Sequence, residues 1–113
     1  MGDKSTYAIT AGSQHTDGHS LVITQVTLKS TGWVAVHTDA NGAPGVVIGV
    51  SSLLAPGTHD NVVVRLSKAQ SAGTKVMPVV HVEDNNNTTF DYPKGDAPAT
   101  IDGRVVVVTI SLT

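Results

Sequence analysis

Apolar residues recur at every second position through much of this chain, in short runs bounded by Gly, Pro, Asn and Asp. A period of two puts alternate side chains on opposite sheet faces and predicts strands with one buried face. Seven such runs can be placed, near residues 5–12, 20–29, 32–39, 46–52, 60–67, 75–83 and 104–112. In the second, Val22, Val26 and Leu28 share a face. The fifth sets Val62, Val64 and Leu66 against Val63, Arg65 and Ser67. The last turns Val106, Val108, Ile110 and Leu112 inward, and Val105, Val107, Thr109 and Ser111 outward.

Turn chemistry supports these divisions. Thr16-Asp17-Gly18 supplies an Asp-Gly turn before the second strand, and Asp102-Gly103 precedes the last. Asn41-Gly42-Ala43-Pro44-Gly45 separates the third strand from the fourth, and Ala55-Pro56-Gly57 the fourth from the fifth. Helical periodicity is absent beyond one turn's worth at Val50 to Leu54, and there is no internal repeat. The longest irregular stretch runs from Asp84 to Pro98. The pattern predicts an all-β fold: a seven-stranded antiparallel Greek-key sandwich, immunoglobulin-like or cupredoxin-like, occupying residues 1–113 as a single domain.

Composition strengthens that reading. Eighteen Val and fourteen Thr stand against a single Glu, and β-branched side chains suit a pleated sheet better than a helix. Aromatic residues make up only 4%, so the core is expected to be aliphatic. A net charge of −2, with the lysines scattered, gives no electrostatic footprint for nucleic acid. No run reaches the ~20 apolar residues that cross a bilayer as a helix, so no membrane insertion is expected. Met1-Gly2-Asp3-Lys4 has no hydrophobic signal region after it, so the chain reads as a mature form with any export signal removed. Zero Cys excludes disulfides, thiolate metal sites and cysteine nucleophiles.

A set of short segments in fixed order then carries a resemblance. They are Gln14-His15-Thr16-Asp17-Gly18, Gly32-Trp33-Val34-Ala35-Val36-His37 through Gly49-Val50-Ser51, and Leu54-Ala55-Pro56-Gly57-Thr58-His59-Asp60-Asn61-Val62. Met77-Pro78, His81-Val82-Glu83-Asp84, Phe90-Asp91-Tyr92-Pro93, Ala97-Pro98 and Asp102-Gly103 follow. Together they resemble an uncharacterised domain family found in exported and surface-anchored proteins of haloarchaea and some bacteria. The resemblance spans nearly the whole chain. It implies an extracellular or cell-surface β-sandwich, often one module of a longer protein, and no catalytic residues.

Candidate chemistry centres on histidine and acid at two-residue spacing. His37 and Asp39 share one strand face, and His81 and Glu83 share another. In an immunoglobulin-type topology the third and sixth strands are neighbours, which sets the two histidines side by side as candidate Zn or Cu ligands. With Val34, Val36, Val80 and Val82 facing the core, these histidines are expected on the solvated face. A blue-copper centre is excluded, because it needs a Cys thiolate. Asp84, Asn86 and Asp91 offer oxygen ligands suited to Ca²⁺, though Asn-Asp runs are first of all turn formers. Trp33 and Tyr92 are candidate sugar-stacking rings, with core packing the ordinary role of a lone Trp. Asn86-Asn87-Thr88 and Asn87-Thr88-Thr89 match the N-glycosylation pattern, at a frequency that chance supplies among so many Asn and Thr. There is no hydrolase elbow, no phosphate loop, and no carboxylate pair for glycosidase chemistry.

The expected function is therefore a non-catalytic structural or adhesive module of an exported or cell-surface protein, not an enzyme. Its partners are expected to be other surface-protein modules or copies of itself, and no cofactor is required. Two alternatives remain open at this point: a cell-envelope metal-binding protein using the His/acid cluster, and a carbohydrate-binding module.

Overall fold

The β-branched runs pair into antiparallel sheets. A computed structural model of the chain describes residues 7–15 and 18–113. Its strands are β1 (Ala8–Thr10), β2 (Ser20–Leu28), β3 (Gly32–Ala40), β4 (Ala43–Val50), β5 (Gly57–Arg65), β6 (Lys75–Val82), β7 (Thr100–Ile101), β8 (Arg104–Val105) and β9 (Ile110–Ser111). One sheet has the order β1-β2-β5 and the other β4-β3-β6-β9, with β7-β8 a separate hairpin. Leu21, Ile23, Val26, Leu28 and Val64 from the first sheet and Val34, Val36, Ile48, Val76, Val80 and Ile110 from the second form one buried cluster. That aliphatic layer between two sheets is the β-sandwich that the alternation predicts. No helix among the described residues is long and apolar enough to cross a membrane.

Several boundaries differ from the sequence reading, each for a local reason. The third turn contracts to Asn41-Gly42, with φ values of 57° and 88°, the primed geometry that suits strand twist. Strand β4 therefore starts at Ala43 and takes in Pro44 and Gly45. The last run is not one strand: a turn at Asp102 and Gly103 joins β7 to β8, and only Ile110–Ser111 continues as β9, with a bridge at Val107 between. The inward set Val106, Val108, Ile110 and Leu112 nevertheless packs in or against the core. The Thr16-Asp17 part of the predicted first turn and the start of the first strand lie outside the described residues.

The shared face assigned to Val22, Val26 and Leu28 is wrong. Val22 is 40% exposed, while Leu21 and Ile23 are buried together with Val26 and Leu28. The inward face changes parity between Ile23 and Val26. Across the ladder the same change occurs in β5, where Val64 is buried but so is Gly57. Asn61, at φ 53°, sits where both strands change phase.

The two sheets are also joined along their sides. Ser67 N–H donates to Ile48 O at 2.7 Å beside a Gly49–Leu66 bridge, and Gln14 N–H donates to Ser111 O at 3.0 Å. Gly49 makes the first seam possible, because a Cβ there would lie 2.6 Å from Arg65 O. Gly49→Ala is expected to cost about 1–3 kcal/mol by overpacking, whereas Gly12→Ala, with nothing within 4 Å, changes stability by less than ~0.5 kcal/mol. Urea titration of the two variants followed by Trp33 fluorescence checks this.

Candidate functional site

Strands β3 and β6 are neighbours, as expected, with Trp33 opposite His81, Ala35 opposite Val79 and His37 opposite Met77. These odd-numbered residues face away from the sandwich core, yet they are buried. His37 is 2% exposed and His81 is fully buried. The solvated face expected for the two histidines is thus corrected. Residues 83–99 fold back over the outer face and cover it. The chain returns alongside β6, where Val82 N–H donates to Ala97 O and Ala99 N–H to Val80 O.

The histidines are not side by side. They lie four positions apart along the ladder, roughly 13 Å of strand, with the Ala35–Val79 pair between them. Their rings reach toward each other across that gap, and the two Nε2 atoms meet at 3.1 Å. The ring planes are 8° apart and the centroids 5.3 Å apart, which exceeds the Nε2 separation by about one ring width. That difference requires the rings to lie edge to edge in nearly one plane, with the nitrogens head-on. Face stacking is excluded.

Bulges in β4 help to build this arrangement. The β3–β4 register shifts on both sides of His37, and the Gly45 carbonyl comes within 2.8 Å of His37 Nδ1. Val46 N–H, displaced from the regular ladder, donates to the Thr38 hydroxyl instead. On the other side His81 Nδ1 is 2.7 Å from the Asp96 carbonyl. A carbonyl only accepts, so both Nδ1 atoms carry hydrogen. Two neutral rings would then oppose their Nε2 lone pairs, and the central hydrogen bond needs a third proton. The row Gly45 O, His37, His81, Asp96 O therefore holds one shared proton and one positive charge.

Burial pushes the His81 pKa down to about 4, against the raising effect of its bond to Asp96 and helped by the charge of His37. His81 accordingly turns an Nε2 lone pair toward His37 and accepts in the central bond. Aromatic rings enclose the pair. Tyr92 meets His81 edge-on at 4.7 Å and His37 at 5.9 Å, and Phe90 meets His81 at 5.2 Å and Trp33 at 5.4 Å.

The acids expected beside the histidines go elsewhere. Asp39 accepts from Gly42 N–H in the β3–β4 turn. The Glu83 carboxylate accepts from the backbone N–H groups of Asn85, Asn86, Asn87 and Thr88 at 2.6–3.2 Å, so that it organises the start of the covering loop. Among the described residues no group of three or more His, Asp or Glu side chains is placed to hold a metal ion. The head-on spacing suits a proton, since a metal in line between two nitrogens needs about 4 Å, twice a ~2 Å bond.

The calcium candidates have N–H partners where a cation needs free oxygens. Asp84 accepts from Asp96 N–H and Ala97 N–H, which holds its carboxyl below the ordinary range. Asp91 accepts from the side-chain amides of Asn85 and Asn87. Asp96 is fully buried, and burial raises its pKa. Its carboxyl accepts from Asp91 N–H at 2.9 Å and from Asp84 N–H at 3.3 Å, and the pKa of Asp91 is lowered by its side-chain bonds to Asp96, Asn85 and Asn87. The Asn86 side chain is exposed at the loop tip. Of the sugar candidates, Trp33 is 3% exposed and packs under Phe90, while Tyr92 is 37% exposed over the histidines.

The sequence did carry a signal for this second buried layer. Trp33 to Val36 and Val76 to Val80 are unbroken apolar runs, and such runs mark strands buried on both faces.

Two antiparallel sheets with one outer face sealed by a self-bonded loop define a β-sandwich module. The chain belongs to the family described as a domain of unknown function, DUF7282, whose model matches residues 7–113. It is 28% identical over 111 residues to cell surface glycoprotein 1 and to cell surface glycoprotein 2 of Haloarcula hispanica. Each alignment takes in 98% of this chain but only 12% of the glycoprotein. No solved structure matches. The surface-protein family expected from the ordered motifs is thus the one found, and the homology supports an extracellular or cell-surface location.

The histidine pair generates two expectations. A histidine whose folded pKa is depressed stabilises the fold fully above its unfolded value of 6.5. That stability is lost as pH falls from 6.5 to about 4, on the order of 3 kcal/mol for His81. Urea midpoints measured between pH 7.5 and 4 are expected to trace the loss, and His81→Phe to flatten it. Separately, His37→Leu leaves His81 Nε2 and Gly45 O without their partner and is expected to cost about 2–4 kcal/mol. The double variant His37→Leu/His81→Leu is expected to cost less than the sum of the two single changes, as a double-mutant cycle would show.

Proposed function

We propose that this domain is a non-catalytic structural module of an exported or cell-surface protein. One observation carries the reading: nearly the whole chain aligns with a small fraction of two much longer surface glycoproteins. A unit of that kind contributes a rigid spacer between neighbouring parts of a larger chain. The polar groups that chemistry would need are spent internally. Glu83 and Asp84 bind backbone N–H groups, and the histidines bind each other and two carbonyls.

Self-association is the finer part of this reading. Val22 and Val63 form a cross-strand pair on the outer face of β2 and β5, 40% and 56% exposed, and this is apolar surface for a second copy. Labelling of intact cells with a membrane-impermeant amine reagent tests the location. Lys68, Lys75 and Lys94 are exposed and are expected to react before lysis; protection until lysis would sink the reading. Light scattering tests the pairing, with a mass that rises with concentration and returns to that of a monomer in Val63→Lys. A strict monomer at millimolar concentration would remove the adhesive part. Native mass spectrometry with Zn²⁺, Cu²⁺ and Ca²⁺ is expected to show no stoichiometric adduct, and one that survived desalting would favour a metal-binding role instead.

A further inference from the structure

The covering loop holds three consecutive asparagines, and the structure treats them differently. Asn85 gives its side-chain amide to both Asp91 oxygens at 2.9 Å. Asn87 donates to Asp91 at 2.9 Å and accepts from Thr89 N–H at 3.0 Å, so both ends of its amide are engaged. Asn86 lies between them at φ 58°, a conformation that Asn tolerates well. Its backbone N–H donates to Glu83, but among the described residues its exposed side-chain amide makes no hydrogen bond. The one unengaged amide therefore begins the motif Asn86-Asn87-Thr88, with the hydroxyl residue two positions on. The chain's other candidate motif, Asn87-Thr88-Thr89, begins at a pinned amide.

We propose that Asn86 is an N-glycosylation site and that Asn87 is not. The inference rests on the surface reading above, since acceptors of this pattern are modified on exported chains. The donor is a lipid-linked, phosphate-activated oligosaccharide. The Asn86 Nδ2 attacks the anomeric carbon and the C–N bond forms. The C–O bond to phosphate breaks, the lipid phosphate leaves, and the amide gives up one proton. No oxidant or reductant is needed. A glycan on Asn86 projects from the loop tip into solvent and leaves the bonds of Glu83 and Asp91 intact. On Asn87 it would crowd the side-chain contact that ties residues 87 and 91 together.

Peptide mapping of the protein purified from the surface of its cells tests the assignment. The peptide spanning residues 76–94 is expected to carry a glycan mass that Asn86→Gln and Thr88→Ala abolish and Thr89→Ala leaves in place. Thr89→Ala removes only the Asn87 motif and so separates the two sites, and thermal melts of all three variants confirm folding. An increment that survives Thr88→Ala and disappears in Thr89→Ala would overturn the choice of Asn86. An unmodified peptide from protein that the impermeant amine reagent has labelled would overturn the site while leaving the surface reading in place. Protein that escapes the label and carries no glycan would overturn both.

Discussion

The pairing of β3 with β6 is the contact on which the rest of the molecule depends. Its register sends Val34, Val36 and Val80 into the sandwich and sends Trp33, Ala35, His37, Val79 and His81 to the other side. An ordinary antiparallel sheet leaves one such face to water. Here the second face is itself largely apolar, so it needs a cover. The loop of residues 83–99 supplies it, and the histidine row fastens the cover by joining a carbonyl of β4 to a carbonyl of the loop. Burial of two imidazoles is tolerable because every ring nitrogen has a partner.

Much of this architecture was legible in the chain. The period of two in Val62 to Ser67 gave the correct faces of β5, and Asn41-Gly42 and Asp102-Gly103 marked tight turns that do form. The adjacency of the third and sixth strands followed from topology alone. What alternation does not reveal is a change of phase. The inward side of β2 switches between Ile23 and Val26 where Asn61 of the facing strand takes a left-handed conformation, and no apolar pattern encodes a backbone angle.

The site was legible in its membership and not in its chemistry. The spacing of His37 and His81 on adjacent strands marks them as a pair, and the structure brings them together. Their acidic neighbours in sequence were expected to join them, but carboxylates two positions along a strand also lie where the strand ends. There the unpaired N–H groups of turns compete for them. Asp39 goes to a hairpin N–H and Glu83 to the start of the loop. The result is a pair of imidazoles facing each other head-on, bordered by Phe90 and Tyr92, with Trp33 packed against Phe90.

The way in which Glu83 gathers the loop bears on the salt in which such a protein can work. Its carboxylate is held by backbone N–H groups at 2.6–3.2 Å. Mobile ions screen charges over about 3 Å in molar salt and about 10 Å at a tenth of that. These are bonds from a carboxylate to amide dipoles fixed in the backbone, so they depend less on ionic strength than an exposed pair of opposite charges does. A lid fastened by backbone donors and by one proton between two imidazoles contains no pair of opposite charges for salt to separate.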